Sequence, residues 1–226
     1  MNLTLTNLTK QYGSFTALQN FNYEFIAGVY GLLGPNGSGK STLMNIITDN
    51  LKATSGLVRF DGEDITKMDA DFRKILGFMP QQQGIYPNFT LERFLYYMAA
   101  LKGMKKADAK PQIEKLINLV NLQDSRNKSL GGFSGGMKQR ALIAQAMLGE
   151  PKVIILDEPT AGLDPKERIR IRNLVAQIAF DKIVIIATHV VSDIEFIAKE
   201  VLLMKRGEII DSGAPHILCE KIDGKV

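Results

Sequence analysis

The 226-residue chain has no tryptophan, one cysteine and no apolar run longer than eight residues, Phe94 to Leu101. Each shortage excludes something. A lone cysteine cannot close an internal disulfide, which argues for a reducing compartment. Eight apolar residues fall far short of the roughly 20 that a membrane-spanning helix needs. The opening Met1-Asn2-Leu3-Thr4 has no basic stretch followed by an apolar one, so no secretory leader is expected. There is no internal repeat and no long low-complexity tract. Charge of one sign is also scarce: 28 Lys and Arg against 24 Asp and Glu leave +4 and a pI near 9.0. That excess permits contact with nucleic acid or anionic lipid without demanding it. What is present, 45% apolar residues, is ordinary for a globular protein and supports a sizeable core in one or two domains.

Patterning divides the chain into three parts. Leu3 and Leu5 alternate with threonines, and Phe21, Tyr23 and Phe25 with polar residues, which predicts half-buried antiparallel strands. Val29 to Leu33 predicts a short strand ending in a Gly-rich turn, Thr42 to Thr48 a buried helix, and Leu57 to Phe60 a strand before the Asp61-Gly62 turn. Residues 82 to about 150 are expected to be mostly helical. Thr90 is the expected N-cap of a helix over Leu91 to Lys102, stopped by Gly103. Further helices are predicted at Pro111 to Leu122 and Met137 to Leu148. The last third is α/β: Val153 to Leu156 and Ile183 to Ala187 are continuous apolar runs, the pattern of strands covered on both faces. A helix over Lys166 to Phe180 lies between them, and Val201 to Met204 with Glu208 to Asp211 forms a closing hairpin.

Gly34-Pro35-Asn36-Gly37-Ser38-Gly39-Lys40-Ser41, followed by Thr42, fits the phosphate-loop pattern G-x-x-x-x-G-K-[ST] in the required place, after an apolar strand and before a helix. The glycines let successive N–H groups converge on phosphate oxygens, and the helix N-terminus adds partial positive charge. Lys40 is then placed to reach the β- and γ-phosphates, and the Ser41 hydroxyl to ligate Mg²⁺. Asp157 and Glu158 emerge at the C-terminal end of the run from Val153, the edge where ligands of open α/β sheets bind. Asp157 would hold Mg²⁺, directly or through water, and Glu158 would polarise the attacking water as general base.

Four further segments carry a family likeness. Phe133-Ser134-Gly135-Gly136-Met137-Lys138-Gln139-Arg140 resembles the signature of ATP-binding cassette (ABC) proteins. Gln81, taken from its spacing after Gly77 and flanked by Gln82 and Gln83, resembles their Q-loop. Ala161-Gly162-Leu163-Asp164 resembles the D-loop, and His189 the switch histidine. The resemblance spans nearly the whole chain, with the motifs in the family's order. It implies an α/β fold, a P-loop NTPase ABC cassette with a parallel-sheet core, an N-terminal antiparallel β subdomain and a helical signature subdomain. Residues 1–226 would form one ATPase domain, with 1–81 and 151–226 as a RecA-like core and 82–150 as the helical part.

The resemblance also implies roles. Tyr12 resembles the aromatic that stacks on adenine; its plain alternative is a surface tyrosine in a turn. Gln81 would touch Mg²⁺ or the attacking water, His189 would bond the γ-phosphate and orient Glu158, and Asp164 would cross a dimer interface while doubling as an N-cap. Ser134 opens a second anion-binding helix 94 residues after Lys40. One ATP has one γ-phosphate, so a two-fold head-to-tail pair, each ATP between one chain's Lys40 and the other's Ser134, accommodates both ends. Signatures of the family often have Gln where Met137 stands. The implied protein is a cytoplasmic ATPase on the inner face of the membrane, paired with a membrane-spanning subunit that Tyr86 and Phe89 would contact. The opening, the short Gln81-to-Ser134 spacing and the ending resemble subunits of ABC-2-type exporters, such as those for multidrug or antimicrobial-peptide export. Such subunits usually continue past the point resembled by Glu220 to Val226. The alternatives are a soluble ABC-type ATPase acting on nucleic acid or ribosomes, and a P-loop kinase. The first usually carries long coiled-coil insertions or two cassettes; the second has no signature helix.

Overall fold

The structure is a computed structural model that describes residues 1–81 and 84–223. The alternating N-terminal segments become β1 (Asn2–Tyr12) and β2 (Phe15–Ile26), an antiparallel pair that buries Leu3, Leu5, Leu8, Phe21 and Phe25. β3 (Gly28–Leu33) runs into the phosphate loop, and α1 (Lys40–Ile47) leaves it. β4 (Ser55–Phe60) and β5 (Glu63–Asp64) complete a four-stranded sheet in the order β2-β1-β4-β5. Two short helices not foreseen in the sequence, α2 (Ile65–Met68) and α3 (Ala70–Ile75), lead to β6 (Leu76–Met79).

The middle of the chain holds three longer helices. α4 (Leu91–Leu101) begins as expected: Thr90 Oγ1 accepts the Arg93 N–H at 3.2 Å. α5 runs over Lys106–Leu119, starting five residues before the proline that was expected to open it. Pro111 sits inside that helix, where its missing N–H removes one backbone bond. Burial of Ala109, Ile113, Leu116 and Ile117 on one face holds the helix together across it. α6 (Gly135–Ala146) starts two residues earlier than the apolar pattern suggests, because Ser134 Oγ caps it by accepting the Met137 N–H at 3.3 Å.

β7 (Val153–Asp157), α7 (Pro165–Ile178) and β8 (Ile183–Thr188) form the expected β-α-β unit, followed by the hairpin of β9 (Glu200–Lys205) and β10 (Glu208–Gly213) and by α8 (Pro215–Asp223). The six-stranded sheet has the order β10-β9-β3-β8-β7-β6, parallel except for β10. β7 and β8 are interior strands of this sheet and feed both cores. Ile154 and Leu156 pack with α4 to α7, while Val153 and Ile155 pack with α1 and the antiparallel sheet. Two-sided burial fixes these strands, so what emerges at their C-terminal ends is held rigidly.

Candidate active site

The loop between β3 and α1 folds around its own lysine. Lys40 Nζ donates to Gly34 O at 2.6 Å and Pro35 O at 3.1 Å. Gly39 has φ of 104°, and a Cβ there would stand 2.7 Å from Ala17 O, so this position takes only glycine. Burial pushes the Lys40 ammonium below its usual pKa, and the Glu158 and Asp157 carboxylates pull it back up. Asp157 shows the converse. Burial first, then the charge of Glu158, raises its carboxyl to about 6, against Lys40 and a hydrogen bond from the Gln81 backbone N–H.

Glu158 follows β7 with φ of 50°, in the left-handed region, and its N–H donates to Ala187 O at 2.9 Å. The turn swings the carboxylate toward β8. Oε1 lies 2.7 Å from His189 Nδ1, and Oε2 accepts from Thr188 Oγ1 at 3.4 Å. Glu158 is buried, whereas His189 stands largely in solvent, so one end of the pair is fixed and the other is free to meet a ligand.

A cleft of about 170 Å³ gathers most of the expected residues: Asn36 to Thr42 on one wall, Gln81, Asp157 and Glu158 on the other. Gly34 and Pro35 stand behind it as acceptors for Lys40. Phe15 also lines the cleft, and the sequence reading missed it. Tyr12 is outside that lining; it pairs across the hairpin with Phe15, half exposed, with Lys10 Nζ 5.1 Å from its ring centre. The two-residue turn Gly13-Ser14 was the available signal, since it places Phe15 opposite Tyr12. Gln82 and Gln83 lie outside the described residues.

Ser134, Gly135, Gly136 and Asp164 are not brought into this cleft. The signature turn packs instead on the residues flanking Asp164: a Cβ on Gly135 would touch Leu163 at 3.5 Å, while Asp164 Oδ1 caps α7 by accepting the Glu167 N–H at 2.9 Å. The Met137 side chain joins the apolar core, and only its backbone N–H serves the signature turn. Its departure from Gln therefore leaves the cap intact.

The donor set fits magnesium. Among the described residues no group of three or more His, Cys, Asp or Glu side chains gathers at one point. Instead the cleft offers the Ser41 hydroxyl, the Asp157 carboxylate and Gln81 as oxygen donors. Hard oxygen donors in that small number suit an ion that takes one or two protein ligands and completes its octahedron with phosphate oxygens and water.

Residues 18–161 match the ABC transporter family. The chain belongs to that family. It is 36% identical over 208 residues to the uncharacterised ABC transporter ATP-binding protein YxlF of Bacillus subtilis, covering 92% of this chain and 69% of the relative. It is 32% identical over 224 residues to the linearmycin resistance ATP-binding protein LnrL of the same organism, covering 98% and 72%. Among solved structures, the dimeric bacterial ABC transporter cassette MJ0796 superimposes with a TM-score of 0.82 at 28% identity, over 94% of this chain and 98% of that one. The fold is thus the ABC cassette, and the protein is an ABC ATPase that binds ATP. Among the described residues no helix is long and apolar enough to cross a membrane.

Proposed function

We propose that this chain is the ATP-hydrolysing subunit of an exporter, that it closes on Mg–ATP together with a second ATP-binding subunit, and that it works on a separate membrane-spanning subunit. The observation that carries this reading is the separation of two anion-ready helix ends. The α1 end faces the cleft with Lys40, and the capped α6 end at Ser134 lies outside it. A head-to-tail pair brings each α6 end to the other chain's cleft.

Within such a site the chain's own residues divide the work. The loop N–H groups and Lys40 bind and orient the triphosphate, Lys40 exchanging the carbonyls of Gly34 and Pro35 for phosphate oxygens. Ser41, Asp157 and Gln81 would hold magnesium, which when bound neutralises charge on the β- and γ-oxygens. Glu158 takes the proton of the attacking water, and His189 keeps the carboxylate aimed through its Nδ1, with its other ring nitrogen left to bond the γ-phosphate. Ring stacking by Phe15 and Tyr12 supplies the adenine contact. The aromatic group after Gln81 suits the membrane partner: Tyr86 and Phe89 stack at 5.0 Å, Tyr97 meets both edge-on, and Arg93 lies 4.2 Å over Phe89. A relative named for Nod factor export, 32% identical over 219 residues, supports export.

Glu158→Gln should bind ATP and lower turnover by about a hundredfold or more, and it should trap an ATP-bound dimer on size exclusion. A monomer at saturating Mg–ATP contradicts the base assignment and the pairing. Tyr86→Ala with Phe89→Ala should leave basal ATPase in place and remove stimulation by the membrane partner; undiminished stimulation rules out that contact.

A further inference from the structure

Asp164 and Glu167 have the spacing of a capping box, in which the glutamate reaches back to the N–H of the capping residue. Here Glu167 turns away toward α6. A Cβ on Gly136, in the signature turn, would stand 2.4 Å from Glu167 Oε2, and Arg140 Nε lies 3.6 Å from the same oxygen. The two side chains are only 15% and 12% exposed, and neither facing atom has a hydrogen-bond partner. Their other ends are occupied. Arg170 pairs with Glu167 Oε1, and Arg140 Nη1 donates to Val120 O at 2.7 Å and Asn121 O at 3.0 Å.

The two already form a buried ion pair, but the facing N–H and carboxylate oxygen stand too far apart for a good hydrogen bond, so tightening the pair is favourable. Less than about 1 Å of movement closes it. A cleft of about 420 Å³ beside Arg140, lined also by Arg170 and Asn173, leaves room for that movement. The next residues of α7 grip the segment behind His189. Arg168 lies 3.8 Å from buried Asp193, which also bonds Thr160, and Arg172 Nη1 donates to Ser192 O at 2.6 Å. α7 therefore touches the signature turn on one side and the histidine segment on the other.

We infer that Glu167 is a positioning residue for ATP hydrolysis: closing on Arg140, it fixes the Ser134–Gly136 turn against α7 and so ties the half-site this chain lends to its partner to the histidine of its own site. The inference rests on the two-chain reading above. It separates Glu167 from a plain core contact, because nucleotide binding by one chain does not involve α6, whereas closure of the pair does.

The test uses the full chain with Glu167→Gln and Glu167→Ala, each alone and with Glu158→Gln. Alone, each should lower kcat about tenfold while the affinity of the monomer for trinitrophenyl-ATP stays within about twofold. With Glu158→Gln, the ATP concentration that half-converts monomer to dimer should rise about tenfold. If the alanine variant does not fold, the isosteric glutamine variant decides. A Glu158→Gln parent that stays monomeric means the two-chain reading has failed. A parent that dimerises, with Glu167 variants that match it in kcat and in ATP requirement, overturns the positioning role alone. A loss of kcat fully accounted for by weaker trinitrophenyl-ATP binding also overturns it.

Discussion

Glu158 meets two demands at one position. Its backbone lies at φ of 50°, a conformation that costs a residue with a Cβ of order 1 kcal/mol, and its carboxylate is buried beside Asp157. The bond from Thr188 and the contact with His189 hold it there, so strain at the chain turn is converted into a fixed aim. A second ionisable group, the partly buried Lys102, has a different job. Its Nζ donates to Leu76 O at 2.9 Å and Leu148 O at 2.7 Å, joining the end of α4 to β6 and to the chain just past α6. Burial lowers its pKa from 10.5 to about 8. Between those values the unfolded chain holds a proton that the folded chain has released, so folding stability rises with pH and is lost again as pH falls through 8. The stability of the native protein relative to Lys102→Met should therefore grow from pH 7 to pH 10, by at most about 1.4 kcal/mol per unit inside that window. Paired thermal or denaturant melts cancel the titration of other lysines and tyrosines. A gap that stays flat with pH would show that Lys102 is not depressed by burial.

At the scale of elements, β6 illustrates where sequence reading ends. Leu76 to Met79 is too short and too broken by Gly77 to show a period, yet it pairs in parallel with β7 over four residues. Its place is set by an approach the sequence does not display: a Cβ on Gly77 would lie 2.2 Å from Ala146 O, at the end of α6. Gly77→Ala pushes backbone against backbone and should cost about 2 to 3 kcal/mol, or roughly 5 to 10 °C in Tm. It should also misplace Gln81, so ATPase should fall below what the lost stability explains; a variant with native Tm would mean that β6 and α6 move apart freely. The readable elements were those whose burial leaves a repeat, such as the β1 and β2 alternation and the apolar runs of β7 and β8, or whose end carries a capping side chain, such as Thr90. The start of α5 was missed because Pro111 reads as a first-turn residue, while tertiary burial carries the helix through it. The phosphate loop and the carboxylates at the end of β7 were legible because contiguous residues build them. Phe15 was not, since only hairpin register takes it to the cleft. Neither was Glu167, whose capping-box spacing points to a local role while its carboxylate serves α6.

For the whole molecule, the decisive feature is that residues with phosphate-binding chemistry do not all converge within one chain. The cleft holds Lys40 and Glu158, and the Ser134 turn packs with α7 elsewhere. Complementation between two disabled chains tests this arrangement directly. Lys40→Ala removes the cleft's lysine but leaves the signature turn intact, and Ser134→Arg blocks the turn but leaves the cleft intact. Each variant alone builds only defective sites and should be nearly inactive. In an equal mixture about half of the pairs contain one of each. Such a mixed pair has one site with both defects and one with neither, because the intact cleft of the Ser134→Arg chain meets the intact turn of the Lys40→Ala chain. ATPase should recover to about a quarter of the native rate if the sites fire independently. It should rise with the square of protein concentration while pairs are scarce. If all parts of a site came from one chain, mixing would create no intact site and recovery would be zero, so phosphate release from the mixture distinguishes a shared site from a self-contained one.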